Sequence, residues 1–415
     1  MKRIMIIAVM LVLASTIVFG SGRGDSGTTS SGKTEITVQL GNWWEQKSVG
    51  MKEEFERLHP QYTLRFELLP VAGYFDNAAV AILAGTAPDV LDIEVTNIPT
   101  FADRNLLRDI TQSVGSRLRA ADYVKSAWDS SFYKGRMYGF PTRTTGNVIY
   151  YNMNVFDEAG VPYPHEGWTW DDYLSIAQRL TVPGVRYGAG MAVDPSDRVY
   201  VFSSLSPILW AFGGDYFSED GKKCLMNSQE AIRAITFYTE LYTRHRVVPE
   251  GSVSFAATRD VAPLFAQGRV AMYPHGMGGI QQFGGTPNLR FGIAQTPGRV
   301  GRAGAWALTI PSSTPETHIQ GAVDYILWYS RADVQARHSE IEPSNIAAWD
   351  MAPPWNTPLY QEFRTASNNG RALPTISAWG GAMTIMITEL QNVLLQRKTP
   401  QQAANDMVRL IDPLL

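Results

Sequence analysis

Cysteine is almost absent from this sequence, because Cys224 is the only one among 415 residues. With a single thiol, no disulfide can form within the chain. A lone cysteine usually packs as a small apolar side chain. We therefore expect Cys224 to be buried and to have no chemical role.

Motifs for catalysis and metal binding are also missing. The six histidines are scattered, and none has the H-E-x-x-H spacing of a zinc site. No G-x-S-x-G sequence is present to carry a nucleophilic serine. Asp89, Asp92 and Glu94 are the closest group of carboxylates, and strand-end or turn roles explain them as well as catalysis does. We expect no metal ion, no cofactor and no enzymatic activity, with a secreted glycosidase as the less favoured alternative.

An excess of positive charge is lacking as well. The chain has 36 Lys and Arg against 39 Asp and Glu, a formal net charge of −3. Proteins that bind nucleic acid usually carry a basic surface, so we expect no nucleic-acid partner. The 45% of hydrophobic residues and 18% of charged residues are typical of a globular protein, and the length allows two domains.

Only one long apolar run occurs, at the N-terminus. Lys2 and Arg3 precede the apolar residues 4–19, and small residues follow at 20–22. This pattern predicts a signal peptide over residues 1–20 and an exported protein, periplasmic or extracellular. Ser21 stands where a lipoprotein signal has its acylated cysteine, which puts lipid anchoring in doubt. The Gly/Ser/Thr-rich residues 21–33 are interpreted as a flexible linker.

Strand and helix patterns alternate after the linker. Alternating apolar residues predict strands at Glu35–Leu40, Leu64–Leu68 and Pro88–Ile93, and 3.6-residue periodicity predicts a helix at Tyr74–Ala84. This βαβαβ order favours a mainly parallel sheet with helices on both faces. Ligands bind such sheets at the carboxyl ends of the strands. That rule singles out four residues: Trp43, Trp44, Glu45 and Glu94.

The stretch Tyr138–Thr181 is interpreted as the passage from one lobe to a second. Pro141 restricts the backbone, Thr142–Gly146 could absorb the backbone rotation of a closing hinge, and Arg143 lies where it could reach a ligand. Thr169 has the pattern of a helix N-cap, so we assign Trp168 and Trp170 to the core. The later pattern predicts a hairpin at 217–226, helices at 227–244 and 261–266, strands at 268–273, 291–294 and 304–310, and a last helix capped by Thr399.

Aromatic residues are abundant, with 11 Trp and 18 Tyr. Several stand at loops and strand ends beside polar groups, a combination that suits sugars, because sugar C–H faces stack on rings and hydroxyls bond to charged side chains. A cationic ligand such as a polyamine is an alternative, with Glu45, Asp76 and Glu94 as its carboxylates. The candidate ligand-binding residues are Trp43, Trp44, Glu45, Tyr74, Asp76, Glu94, Arg143, Trp210, His275, Trp306 and Trp379.

Several motifs together resemble one family. Residues 84–90, A-G-T-A-P-D-V, resemble the A-G-T-x-P-D-V signature of the extracellular solute-binding proteins of sugar ABC transporters, the maltose-binding-like family 1. The segments Y-G-F-P at 138–141, Y-Y-N at 150–152 and W-T-W-D-D at 168–172 are similar to further motifs of that family. The resemblance extends over essentially the whole chain after the signal peptide.

The resemblance implies a type II periplasmic-binding-protein-like fold, in which two doubly wound α/β lobes are joined by hinge segments around a ligand cleft. It implies a monomeric receptor that binds a mono- or oligosaccharide and delivers it to the permease of an ABC importer. The same fold with a non-sugar solute, such as a polyamine or a phosphodiester, is the alternative. The implied divisions are an N-terminal lobe of residues 34–141 plus 305–341, a first hinge crossing at 142–146, and a C-terminal lobe of residues 147–304 plus 348–415.

Overall fold

A computed structural model describes residues 32–70 and 74–415, apart from the side chains of residues 74–76. The expected signal peptide and nearly all of the expected linker lie outside these residues. The strands are β1 (Thr34–Gly41), β2 (Tyr62–Leu69), β3 (Val90–Glu94), β4 (Phe132–Tyr133), β5 (Arg136–Met137), β6 (Phe140–Gly146), β7 (Val148–Asn152), β8 (Tyr187–Ala189), β9 (Val270–His275), β10 (Phe291–Gln295), β11 (Arg302–Thr309) and β12 (Arg371–Ala372).

Helices separate most of these strands. The α-helices are α1 (Glu45–Leu58), α2 (Tyr74–Ala84), α3 (Ile98–Asp103), α4 (Lys125–Asp129), α5 (Met153–Ala159), α6 (Trp170–Leu180), α7 (Arg198–Ala211), α8 (Gln229–Thr243), α9 (Ala262–Ala266), α10 (Gly278–Phe283), α11 (Glu316–Tyr329), α12 (Ala332–His338), α13 (Pro358–Asn369), α14 (Trp379–Leu394) and α15 (Pro400–Ile411). None of the helices in the described part of the chain combines the length and apolar character needed to cross a membrane.

The first sheet contains the early βαβαβ segment and confirms its parallel order. Strand β1 pairs in parallel with β2 on one side and β3 on the other. Strand β11 then runs antiparallel to β3, and β6 pairs antiparallel with the other edge of β11. The sheet is therefore parallel where each strand follows a crossover helix and antiparallel where the chain returns from the second sheet.

The second sheet has the order β10-β7-β9-β8. Strand β7 is antiparallel to both of its neighbours, and β8 is parallel to β9. Only Asn147 separates β6 in the first sheet from β7 in the second, and its N–H donates to the carbonyl of Arg302 at 3.0 Å. Strand β12 pairs with the start of β11, so a short piece of the late chain also belongs to the first sheet.

Each sheet has its own hydrophobic core. In the first, Phe55 of α1 packs between Tyr325 and Trp328 of α11. In the second, Trp168 and Trp170 are 3% and 6% exposed, which confirms their assignment to the core. The apolar faces of the predicted helices pack into these cores.

The predicted cap of α6 is confirmed as a capping box. Asp172 N–H donates to the Thr169 hydroxyl at 3.2 Å, and Thr169 N–H donates to the Asp172 carboxylate at 2.8 Å. Thr399 and Gln402 form the same box at the start of α15. The bonds to its own helix end lower the pKa of Asp172.

The hairpin expected at 217–226 is present in a less regular form. Phe217 and Cys224 form a single antiparallel bridge around the Asp220-Gly221 turn, without regular strands. Cys224 is buried as expected, and burial raises the pKa of its thiol to about 11. At neutral pH the thiol is therefore protonated and unreactive.

Gly146, the last residue of β6, allows α13 to lie directly against the passage between the sheets. A Cβ atom at this position would lie 2.5 Å from the backbone nitrogen of Ser367. We expect Gly146→Ala to lower the free energy of unfolding by about 1–3 kcal/mol, because backbone atoms must move to admit the methyl group. Urea denaturation measures the change.

Gly285→Ala is the matched control, since no atom lies within 4 Å of its added Cβ. Equal stability of the two variants would show that the close approach at Gly146 has no energetic consequence.

Candidate functional site

A cluster of aromatic and charged side chains lies at the carboxyl ends of β1 and β3. After β1 the chain forms a short 3-10 turn, Asn42–Trp44, in which Trp43 is partly exposed and Trp44 is 1% exposed. Strand β11 supplies Trp306, which is partly exposed and pairs in register with Glu94 of β3 and Arg143 of β6. The rings of Trp43 and Trp306 meet edge to face, with centroids 5.6 Å apart. We call Trp43, Trp306, Glu94, Arg143 and Arg302 the strand-end cluster.

Arg143 lies beneath the rings and not in contact with solvent. Its guanidinium Nη1 donates to Asp92 Oδ2 at 2.7 Å, and the two side chains are 1% and 0% exposed. The guanidinium carbon is 4.5 Å from the centre of the Trp306 ring and 5.1 Å from that of Trp44. The expectation that Arg143 reaches a ligand is thus corrected, because in this structure Asp92 and the two indoles surround its charged end.

A second buried ion pair joins β3 to β11. Arg302 Nη2 donates to Glu94 Oε1 at 2.8 Å, and both side chains are less than a tenth exposed. Burial lowers the pKa of Arg302, while the Glu94 carboxylate opposes that change. The guanidinium folds over Gly304, where a Cβ would lie 2.7 Å from Nη2. Glu94 is therefore compensated by a cation of the protein itself.

His275, at the end of β9, faces this charge from the second sheet. Its ring packs against Tyr273 and Tyr200 at centroid distances of 5.1 and 5.8 Å. Burial, with a smaller contribution from the positive charge of Arg302, lowers the pKa of His275 to about 4. The imidazole is neutral at physiological pH, and its Nδ1 lies 3.1 Å from the carbonyl oxygen of Gly276.

Two other candidate tryptophans stand apart from the cluster. Trp379 is 1% exposed and packs edge-on against Phe202 and Tyr216 in the second core, so packing accounts for it in this conformation. Trp210 is half-buried at the end of α7, with the Arg371 guanidinium 5.1 Å from the ring centre. It lines a separate cavity of about 440 Å³ with Asp215 and Thr375.

The remaining candidates differ in exposure. Trp44 belongs to the first core, where its ring meets that of Tyr329 at 6.1 Å, so its expected role as a ligand platform is replaced by packing. Glu45 is exposed at the start of α1. Tyr74 and Asp76 begin α2, and their side chains lie outside the described residues.

Glu342 was not singled out from the sequence. Its carboxylate accepts the Gly146 N–H at 3.1 Å, and its carbonyl accepts the Thr144 N–H at 2.8 Å. The side chain is fully buried, and burial raises its pKa to about 8. The only hint in the sequence is that Glu342 falls between residue 341, where the N-terminal lobe was expected to end, and residue 348, where the C-terminal lobe was expected to resume. It ties that segment to the end of β6.

Comparison with known proteins gives a family and a fold. The family model described as "Bacterial extracellular solute-binding protein" matches residues 45–336. The chain is 25% identical to an arabinooligosaccharide-binding protein of Bacillus subtilis, over 60% of this chain and 57% of that protein.

Solved structures agree over most of the chain. A solute-binding protein of an ABC transporter from Thermotoga lettingae, bound to α-D-tagatose, has a TM-score of 0.80 at 23% identity and covers 92% of this chain and 99% of its own. An ABC substrate-binding protein from Listeria monocytogenes, in complex with cycloalternan, has a TM-score of 0.79 at 22% identity, with the same coverage of 92% and 99%. At this identity the likeness establishes the two-lobed α/β fold.

The buried carboxyl of Glu342 predicts a specific pH dependence. Its folded-state pKa of about 8 exceeds the ordinary value of 4.5, so the folded protein holds the proton more tightly than the unfolded chain. The stability that this group contributes is complete below about pH 4.5 and is lost as the pH rises through about 8. We expect Glu342→Gln to match the wild type near pH 5 and to exceed it by about 1–2 kcal/mol or more at pH 8.5.

Chemical denaturation across pH 5–9 measures this difference. Glu53→Gln, at an exposed position of α1, is the control and should follow the wild-type profile. Parallel profiles for wild type and Glu342→Gln would show that Glu342 is not a proton-binding group of the folded state.

Proposed function

This chain belongs to the bacterial extracellular solute-binding protein family, and we propose that it is the carbohydrate receptor of an ABC importer. It binds a mono- or oligosaccharide between two closing lobes and delivers it to a membrane permease. The family is one of binding proteins, and the chain is accordingly a binding protein and not an enzyme. The relatives named above bind or hold arabinooligosaccharide, α-D-tagatose and cycloalternan, which supports a sugar ligand.

One observation carries the choice of a sugar. The partly exposed rings of Trp43 and Trp306 meet at the carboxyl ends of the parallel strands, beside the Arg302–Glu94 pair. Indole faces stack on sugar C–H groups, and a guanidinium and a carboxylate can each bond to hydroxyls. Arg302 neutralises Glu94, and Arg143 neutralises Asp92. The buried base of the strand-end cluster, which we call its floor, therefore has little net charge to attract a polyamine or an anion.

The lobes are assigned as the sequence suggested, with a refinement. Residues 34–141 plus 305–341 form the N-terminal lobe, and residues 147–304 plus 348–415 form the C-terminal lobe. The two separate sheets support this division for most of the chain, although residues 302–304 and strand β12 pair in the first sheet. Residues 142–146 are the first hinge crossing, and Asn147 is the point at which the chain changes sheet.

We also propose where the protein works and which partner it has. The protein is exported and works as a monomer, since each copy carries both lobes of its own site. Its partner is the permease of the importer. Glu45 remains a candidate at the exposed start of α1, and Tyr74 and Asp76 remain candidates at the start of α2.

A ligand screen tests the function directly. We expect one or more of tagatose, maltotetraose, cycloalternan, arabinotriose and β-1,4-galactobiose to raise the melting temperature at millimolar concentration, because ligands that bind the native state stabilise it by mass action. Spermidine and sn-glycerol 3-phosphate are the non-sugar arms of the screen. Stabilisation by these alone would overturn the assignment to sugars, and a flat response to every sugar would count against the function.

Trp306→Ala tests the aromatic platform with the best sugar of the screen. Removing a central stacking ring should weaken binding by about 1–3 kcal/mol, roughly 5- to 150-fold in Kd, as measured by titration calorimetry. The control is Trp128→Ala, because Trp128 is also partly buried but its ring packs on Tyr123 and Phe132, which do not belong to the strand-end cluster. Equal losses in the two variants would mean that Trp306 has no special part in binding.

A further inference from the structure

The ion pair of Arg143 and Asp92 is more deeply buried than stability alone explains. Its two side chains are 1% and 0% exposed, and a buried pair of this kind often contributes no more to stability than apolar side chains of the same size. Asp92 Oδ1 and Arg143 Nη2 are also without a hydrogen-bond partner among the described residues. Folding stability alone therefore does not explain why this ion pair is buried.

What Arg143 touches supplies that explanation. Its guanidinium stacks 4.5 Å from the ring centre of Trp306. A guanidinium is planar and weakly hydrated, and these properties allow it to lie flat on an indole face while it bonds to a carboxylate at its edge. Arg143 has a contact of each kind, because its guanidinium carbon lies over the Trp306 ring while Nη1 donates to Asp92 at 2.7 Å.

Strand pairing fixes the backbone of Trp306, while contacts of the ring decide how freely its side chain rotates. The pairing of β11 with β3 is regular through Trp306, and the register shift against β6 leaves Thr142 of β6 as the extra residue. Trp43 meets the ring at an interplanar angle of 75°, as an edge contact that covers little of the face. The Arg143 guanidinium lies over the ring and opposes rotation of the indole.

We propose that Arg143, held by Asp92, is a positioning residue for ligand binding that fixes the Trp306 ring from its buried side. The inference rests on the proposed function, because it takes Trp306 as the surface on which the sugar packs. Arg143 touches no sugar itself. It acts by keeping the ring in the orientation that the ligand requires, so that no rotational freedom is lost on binding.

A double-mutant cycle tests this dependence. Arg143→Lys keeps the charge that Asp92 requires but loses the planar group that stacks. We expect Arg143→Lys to weaken binding of the best sugar in the screen by about 5- to 20-fold when Trp306 is present. In the Trp306→Ala background the same change should alter the Kd by less than about twofold. Equal losses in the two backgrounds would overturn the proposal, because Arg143 would then act independently of Trp306.

A measurement without ligand separates this inference from the proposed function. Subtracting the near-UV circular dichroism spectrum of Trp306→Ala from that of the wild type gives the contribution of Trp306. The same contribution in the Arg143→Lys background comes from the spectra of Arg143→Lys and of the double variant. A changed Trp306 signal supports positioning, and an unchanged one overturns it. If no sugar in the screen binds the wild type, the proposed function has failed, and this spectrum alone decides whether Arg143 orients the ring.

Two further variants guard against a trivial result. If Arg143→Lys does not fold, the doubly neutral Asp92→Asn/Arg143→Gln replaces it in the cycle, since it leaves no unpaired buried charge. Arg186→Lys is the control, because Arg186 is also buried and paired with Glu158 but belongs to the second lobe away from the cluster. It should reduce stability without changing the Kd or the Trp306 signal. If Arg186→Lys changed the Kd or the Trp306 signal as much as Arg143→Lys does, a specific role for Arg143 would be overturned.

Discussion

The antiparallel return of β11 between β3 and β6 is the constraint on which the site depends. Without it, Trp306 and Arg302 would not lie beside Glu94 and Arg143, which come from strands far apart in the chain. The return is possible because the chain leaves the first sheet at Asn147, builds the second sheet, and comes back through Arg302. The strand that completes the first sheet is thus also one of the connections between the lobes. One topological feature therefore joins the two sheets and also places β11 between β3 and β6.

Charge compensation gives the floor of this site its chemical character. Arg143 and Arg302 each have their own carboxylate, and the neutral His275 adds no charge from the other side. A ligand would therefore meet aromatic faces and hydrogen-bonding groups without a strong net field. Sugars match such a surface because their binding depends on stacking and hydroxyl bonds, while charged solutes need an uncompensated partner.

Buried groups surround the end of β6, where the chain passes from one sheet to the other. Glu342 binds the backbone at the end of β6 through both its side chain and its carbonyl, and burial keeps its carboxyl largely protonated at neutral pH. Gly146 brings α13 into backbone contact with the same point. The passage between the sheets is therefore held by close packing and buried hydrogen bonds, in contrast to the exposed, flexible loops that often join domains.

Features that depend on near neighbours along the chain could be predicted from the residues alone. Apolar periodicity placed α2 at Tyr74–Ala84, side-chain spacing identified the caps at Thr169 and Thr399, and local motifs indicated the family. The sequence also brought Trp43, Glu94 and Trp306 forward as candidates, because strand ends can be read from local pattern. The three-dimensional fold was needed to show that Arg143 lies beneath Trp306, that Trp44 and Trp379 are packed in cores, and that Glu342 is buried beside the end of β6. The reason is distance along the chain: Asp92 and Arg143 are 51 residues apart, Glu94 and Arg302 are 208 apart, and no local period specifies which of these groups meet.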